Sequence, residues 1–195
     1  MLNPDELAFI KDPAYPLAKQ AIDGKVSHLL LATQEALIEC INDHEIVLPA
    51  AVSLTRQKVN RGENYQGMPY WVSDFPAKMS KNDIFTYRIA VWWGHEISFS
   101  LIRKGQFKPQ QLPDLNVLEG LGLYYCIYND PWRLEFSEDN LIPVSDQQGQ
   151  SIQEHYERQD FVKLSIRSNL EKLTELAHLG KENFVKFAKA FTDLA

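Results

Sequence analysis

Apolar residues recur along this chain with two different periods, and the change from one to the other divides it. Between Lys25 and Asp43, Val26, Leu29, Leu30, Thr33, Leu37, Cys40 and Ile41 fall three and four apart. That is the spacing of one helix face, and Glu35 and Glu39 fall off it. The helix should end near Asn42-Asp43. Upstream, Asn3-Pro4-Asp5-Glu6 is a helix start, because Asn caps, Pro suits the first helical position and the acids favour the positive end of the dipole. That helix stops near Asp12-Pro13. A second begins around Pro16, with Gly24 expected to interrupt or kink it.

A period of two takes over further along. Glu45 to Leu48 reads as a short strand, and from about Ser53 to Lys104 the chain reads as an antiparallel meander. Leu54–Val59 and Met68–Phe75 are candidate strands, and Asp83–Trp93 with Ile97–Lys104 form the clearest pair. Phe85, Tyr87, Ile89, Val91 and Trp93 alternate onto one face, as do Ile97, Phe99 and Leu101 on the next strand. A two-residue turn would set the apolar row of one strand beside the serines of the other. An odd loop, Gly94-His95-Glu96, keeps all of them together. The opposite face then carries Thr86, Arg88, Ala90, Trp92, Ser98 and Ser100, the composition of a wet sheet surface or, as the second reading, of a ligand platform.

Leu123–Tyr128 and Trp132–Phe136 read as a further strand pair joined by the turn Asn129-Asp130-Pro131. The tail reads as helical. Ser151-Ile152-Gln153-Glu154 fits a capping box, Val162, Ile166, Leu170, Leu173 and Ala177 make a stripe, and Gly180 stands as a C-cap. Phe184, Phe187, Ala188, Phe191 and Leu194 line a last helix. The fold class is therefore α+β: a central antiparallel meander of about five to six strands, packed on one face by N-terminal and C-terminal helices. The 195 residues are read as a single domain, helical over 1–44, mainly sheet over 45–136 and helical again over 151–195.

Composition agrees with a folded chain, at 45% hydrophobic and 24% charged. No apolar run approaches the ~20 residues that span a bilayer. The acidic start lacks a basic leader region, so the expected location is the cytoplasm, away from any membrane. Cys40 and Cys126 have no CxxC partner and read as two buried free thiols. The net charge of −6 is uneven: residues 53–108 hold 9 Lys/Arg against 4 Asp/Glu, whereas 1–52 hold 3 against 8 and 109–195 hold 8 against 14. A basic middle between acidic ends fits acidic helices packed on a basic sheet, with an anionic ligand as the second reading. The acidic total argues against duplex nucleic acid as a partner.

Signatures of chemistry are absent. There is no phosphate loop, no nucleophile elbow, no HExxH and no paired CxxC, and Gly120-Leu121-Gly122 alone is not a dinucleotide fingerprint. No cofactor and no metal site are expected. His28, His155 and His178 fall in helical stretches. His95-Glu96 is the histidine to watch, as a base beside a carboxylate.

Residues 61–76, RGENYQGMPYWVSDFP, read as loop, then edge-type strand, then loop. Their density of functional side chains makes Arg61, Asn64 and Tyr65, with Arg88 and Trp92 from the strand pair, the candidate ligand-binding residues. His95 and Glu63 are the weak catalytic candidates.

Three functions follow. The first is a non-enzymatic binding or protein-interaction module using the basic, aromatic sheet region, whose partner is another protein or a second copy. The second is an enzyme whose Arg61 and Arg88 hold a small anionic substrate. The third is a single-stranded nucleic-acid binder stacking bases on Tyr70, Trp71 or Trp92.

Overall fold

A computed structural model of the protein describes residues 1–191 and Leu194. Helices α1 (Pro4–Lys11) and α2 (Ala14–Asp43) precede strands β1 (Asn60–Tyr65), β2 (Met68–Met79), β3 (Ile84–Trp92) and β4 (Ile97–Lys104). Then come α3 (Leu115–Gly120), β5 (Tyr124–Cys126), β6 (Leu141–Pro143), α4 (Gly149–Arg158), β7 (Phe161–Ser168) and α5 (Leu176–Ala190). The strands form one antiparallel sheet of seven in the order β1-β2-β3-β4-β7-β5-β6. The fold is thus α+β, with N-terminal and C-terminal helices against an antiparallel sheet.

One face of the sheet holds the main core. Trp71 and Phe75 of β2, Phe85, Tyr87, Ile89 and Val91 of β3, and Ile97, Phe99 and Leu101 of β4 pack there. Val26, Leu30, Leu37 and Ile41 of α2 and Phe184 and Phe187 of α5 meet them. The β3–β4 register matches Val91 with Ile97 and Ile89 with Phe99, so the apolar rows coincide as the alternation requires. The odd loop is Trp93-Gly94-His95 rather than Gly94-His95-Glu96. Trp92 N–H donates to the Glu96 carbonyl (3.0 Å), and Gly94 sits in the middle of the loop at φ 75°.

Several expectations from the sequence are corrected. Gly24 does not break the helix: α2 runs unbroken for 30 residues. Residues 54–59 and 45–48 are not strands. Residues 60–79 instead form a β1–β2 hairpin about Gln66-Gly67, both at positive φ (51° and 85°), the geometry of a two-residue primed turn. Ser151 lies inside α4, whose N-cap Gln148 makes no side-chain cap.

The stripe at 162–170 belongs partly to a strand. Val162, Leu164 and Ile166 alternate with Lys163, Ser165 and Arg167, and β7 inserts between β4 and β5. Positions 162, 166 and 170 satisfy a helical period and a strand period at once, so periodicity alone could not choose. Gly180 is no cap: it lies inside α5 and gives its carbonyl to the Tyr87 hydroxyl (2.8 Å). A Cβ there would sit 2.6 Å from Thr33 Cγ2 of α2, so glycine allows the two helices to approach.

The largest correction concerns the second face of the sheet. It is not wet. Residues 132–136 do not pair as a strand, and β5 pairs with β6 instead. The segment 127–140 forms a strap against that face. Leu134 packs on Val72, Ala90 and Trp92, and Phe136 on Tyr124. Trp132, Leu134 and Phe136 alternate as a strand would, but their shared side meets the sheet surface instead of a hydrogen-bonded neighbour.

Candidate functional site

The hairpin β1–β2 carries the first group of candidates. Arg61 Nη1 lies 3.1 Å from Asp23 Oδ2 of α2, and Lys19 Nζ lies 3.2 Å from the same oxygen and 2.8 Å from Glu63. The hydrogen bond from Lys19 to Glu63, with its second one to Asp23, raises the Lys19 pKa above its ordinary value, and burial opposes part of that. Arg56 pairs with Glu35 further along α2. The basic middle of the chain thus meets acids of the N-terminal helix. Asn64 Oδ1 accepts the Gly67 N–H (2.9 Å) and closes the turn.

Tyr65 and Trp92 meet the strap. The Tyr65 hydroxyl donates to Glu135 Oε2 (2.7 Å) and accepts from the Leu134 N–H (3.1 Å). Burial is the first cause of a phenol pKa pushed up to about 12. The Tyr65 ring meets Tyr70 and Trp92 edge-on, and Trp92 Nε1 donates to the Tyr65 carbonyl (3.3 Å). His95 stacks on Trp92 with centroids 3.5 Å apart. Its neighbour Glu96 is half-buried, and burial holds its carboxyl above the usual range, Arg167 and His95 offsetting part of that.

Arg88 forms a third group. It grips Asp74 with two bonds, Nε to Oδ1 (2.8 Å) and Nη2 to Oδ2 (2.9 Å), while Thr86 donates to the same carboxylate (3.1 Å). The Trp132 ring lies 4.2 Å over its guanidinium. Paired and stacked in this way, the charge is tolerated below the strap.

The seven residues therefore fall into separate clusters, each satisfied by the chain itself. Each of five open clefts on the described surface, 390–740 Å³ in volume, is lined by other residues. The cleft between α2 and α5 brings the Cys40 Sγ within 3.7 Å of His44 Nδ1. Burial pushes that thiol up, with Lys181 offsetting part, so it does not present a thiolate nucleophile. Among the described residues no group of three or more His, Cys, Asp or Glu is placed to hold a metal, and no helix is long and apolar enough to cross a membrane. Cys40 and Cys126 are both free and buried.

Two features escape sequence reasoning. Lys163 of β7 is 2% exposed, and its one described partner is the Arg133 carbonyl of the strap (2.5 Å). Burial lowers its pKa from 10.5 to about 8. Nothing in the alternation of β7 distinguishes this lysine from a solvent-facing one.

The second feature is the N-terminal arm. No residue of α1 is buried, and residues 1–22 are exposed except for half-buried Lys19. Leu7, Phe9, Ile10, Tyr15, Leu17 and Ile22 all stand in solvent, with the Phe9 and Tyr15 rings 5.4 Å apart across the Asp12-Pro13 bend. The first buried residue is Asp23, the acid held by Lys19 and Arg61. The hairpin network is thus the root from which the arm leaves the body. The available signal was a helix start followed by apolar residues with no matching strand to cover them.

Comparison with protein-family models, with curated proteins and with solved structures finds no match for this chain.

Proposed function

We propose that this protein is a protein-interaction module whose contact surface is the N-terminal helical arm. The observation that carries the reading is the unpartnered apolar surface of α1 and the start of α2. Leu7, Phe9, Ile10, Tyr15, Leu17, Ile22 and Leu31 are 37–64% exposed. At about 200 Å² for each fully exposed large side chain, they present roughly 700 Å² of apolar area. Monomers rarely expose contiguous apolar patches beyond a few hundred Å² without a use for them. Covering this area would contribute on the order of 17 kcal/mol at about 25 cal/mol per Å². That is enough to offset an association cost of about 4–15 kcal/mol.

Within residues 56–108, where the sequence suggested a partner would bind, Arg61, Tyr65, Arg88 and Trp92 each make contacts inside the chain, which gives that surface less support. Arg61 and Glu63 fix the root of the arm, and Tyr65, Arg88 and Trp92 hold the strap. The enzyme reading has less support, because Arg61 and Arg88 already hold carboxylates of the chain. So has the nucleic-acid reading, because Trp71 and Trp92 are buried.

The test places a photoreactive amino acid at Phe9 in the full chain and illuminates it in cells that make the protein. A discrete adduct, lost from the same probe when Ile10→Asp and Leu17→Asp are added, is expected. No adduct from Phe9 or from Leu17 overturns the reading.

A further inference from the structure

Resting on that reading, the geometry points to a second copy of this chain as the occupant, through antiparallel pairing of the two α2 helices about a two-fold axis at Gly24. The outer face of α2 carries Leu17, Ala21, Gly24, His28 and Leu31, spaced four, three, four and three residues apart and all exposed. This stripe lies opposite the buried one of Val26, Leu30, Thr33 and Leu37. Alternating spacings of three and four are those of a seam between two helices.

The seam is self-complementary. Seven residues either side of Gly24 stand Leu17 and Leu31. Four either side stand Gln20 and His28, which can hydrogen-bond. Three either side stand the small residues Ala21 and Ser27. An antiparallel pair crossing at Gly24 brings each of these against its counterpart, as an isologous interface requires. Large side chains sit at the ends and the smallest at the centre. A Cβ added at Gly24 meets nothing within 4 Å, so the crossing point is an open notch, lined also by Gln20, Ala21, Lys25 and His28.

The symmetric register and the charge favour a copy over a foreign partner. Residues 1–31 hold three lysines and four acids, nearly neutral in a chain of net charge −6, so two arms do not repel. They also offer a foreign partner no strongly charged face. Antiparallel helices set their dipoles in opposition. Within the seam the large apolar side chains are Leu17 and Leu31, which at 61% and 37% exposure present about 200 Å² per copy, with Ala21, Gly24 and His28 between them.

Sedimentation equilibrium and cysteine cross-linking of the full chain test this. The wild type is expected to dimerise. Gly24→Phe, whose Cβ meets nothing within 4 Å, should weaken dimerisation at least tenfold while leaving the circular dichroism spectrum of the monomer in place and its Tm no lower. Under mild oxidation Gly24→Cys should link to itself, since the two α-carbons then lie within disulfide reach. Leu17→Cys should not link to itself, its two copies lying on the order of 21 Å apart along the seam. Mixed with Leu31→Cys, it should link. Self-linking of Leu17→Cys, or a dimer indifferent to Gly24→Phe, overturns the inference. A monomer at every concentration whose Phe9 probe still traps another protein overturns the second copy and leaves the arm as the contact surface. A monomer with no adduct overturns both.

Discussion

Replacing Lys163 by methionine keeps the length of the side chain and removes its charge. In the folded protein this lysine is buried, with the Arg133 carbonyl as its described partner. A fall in pKa from 10.5 to about 8, caused first by burial, corresponds to about 3 kcal/mol of penalty on the charged form. Below pH 8 the wild type carries that penalty in full. Between pH 8 and 10.5 the unfolded chain binds the proton and the folded chain does not, so the contribution of this group to stability rises with pH. Methionine abolishes the penalty but leaves the Arg133 carbonyl unpaired, at a cost of about 1–2 kcal/mol.

The variant should therefore be more stable than wild type by about 1–2 kcal/mol at pH 7. It should be less stable by a similar amount near pH 10.5, with the two curves crossing near pH 9. Urea unfolding of both proteins at half-unit intervals measures this, and only the difference between them is used. Burial raises the Cys40 thiol and the Tyr125 phenol in both chains, so their response to alkali cancels in the difference, whereas Cys126, whose thiol burial raises and Lys163 lowers in part, is replaced by serine in both proteins. The difference can change by no more than about 1.4 kcal/mol per pH unit. A difference that stays constant from pH 7 to 10.5, or a variant weaker throughout, refutes the placement of Lys163 beneath the strap.

Three further perturbations follow from the same contacts. Tyr65→Phe removes the hydroxyl that joins Leu134 N–H to Glu135; it should cost about 1–2 kcal/mol and speed hydrogen exchange of the Leu134 amide, and unchanged exchange would argue against the latch. Arg88→Ala strands the buried Asp74 carboxylate and should cost about 3–5 kcal/mol in chemical denaturation, while a loss under 1 kcal/mol would mean that water reaches Asp74 beneath the strap. Gly24→Ala should stabilise the monomer by about 0.5–1 kcal/mol through helix propensity, whereas Gly180→Ala should destabilise by about 1–3 kcal/mol through its clash with Thr33, and equal Tm shifts for the two would contradict the helix packing.

Those two glycines show how the sequence divides from the structure. Both interrupt helical patterns and both read as breaks, because a glycine's lack of a side chain is local information. One faces open solvent and the other a neighbouring helix, and only tertiary packing distinguishes them. The α+β class, the buried stripe of α2 and the parity of the β3–β4 pair were legible in the sequence, since each rests on a period within one or two neighbouring elements. The strand at 161–168 was not, because its apolar positions satisfy both periods and the choice is made by the empty place beside β4. The candidate residues Arg61, Tyr65, Arg88 and Trp92 stood out in the sequence by residue type alone. Their use was decided by Asp23, Glu135, Trp132 and Leu134, partners that lie 38 or more positions away. The exposed arm is the converse case. The sequence by itself made it a helix, from its cap and its composition. That it would lie bare was settled only when the sheet, built from residues 60–168, found its cover in the later turns of α2 and in α5, because packing needs surfaces to meet and that sheet ends before the arm begins.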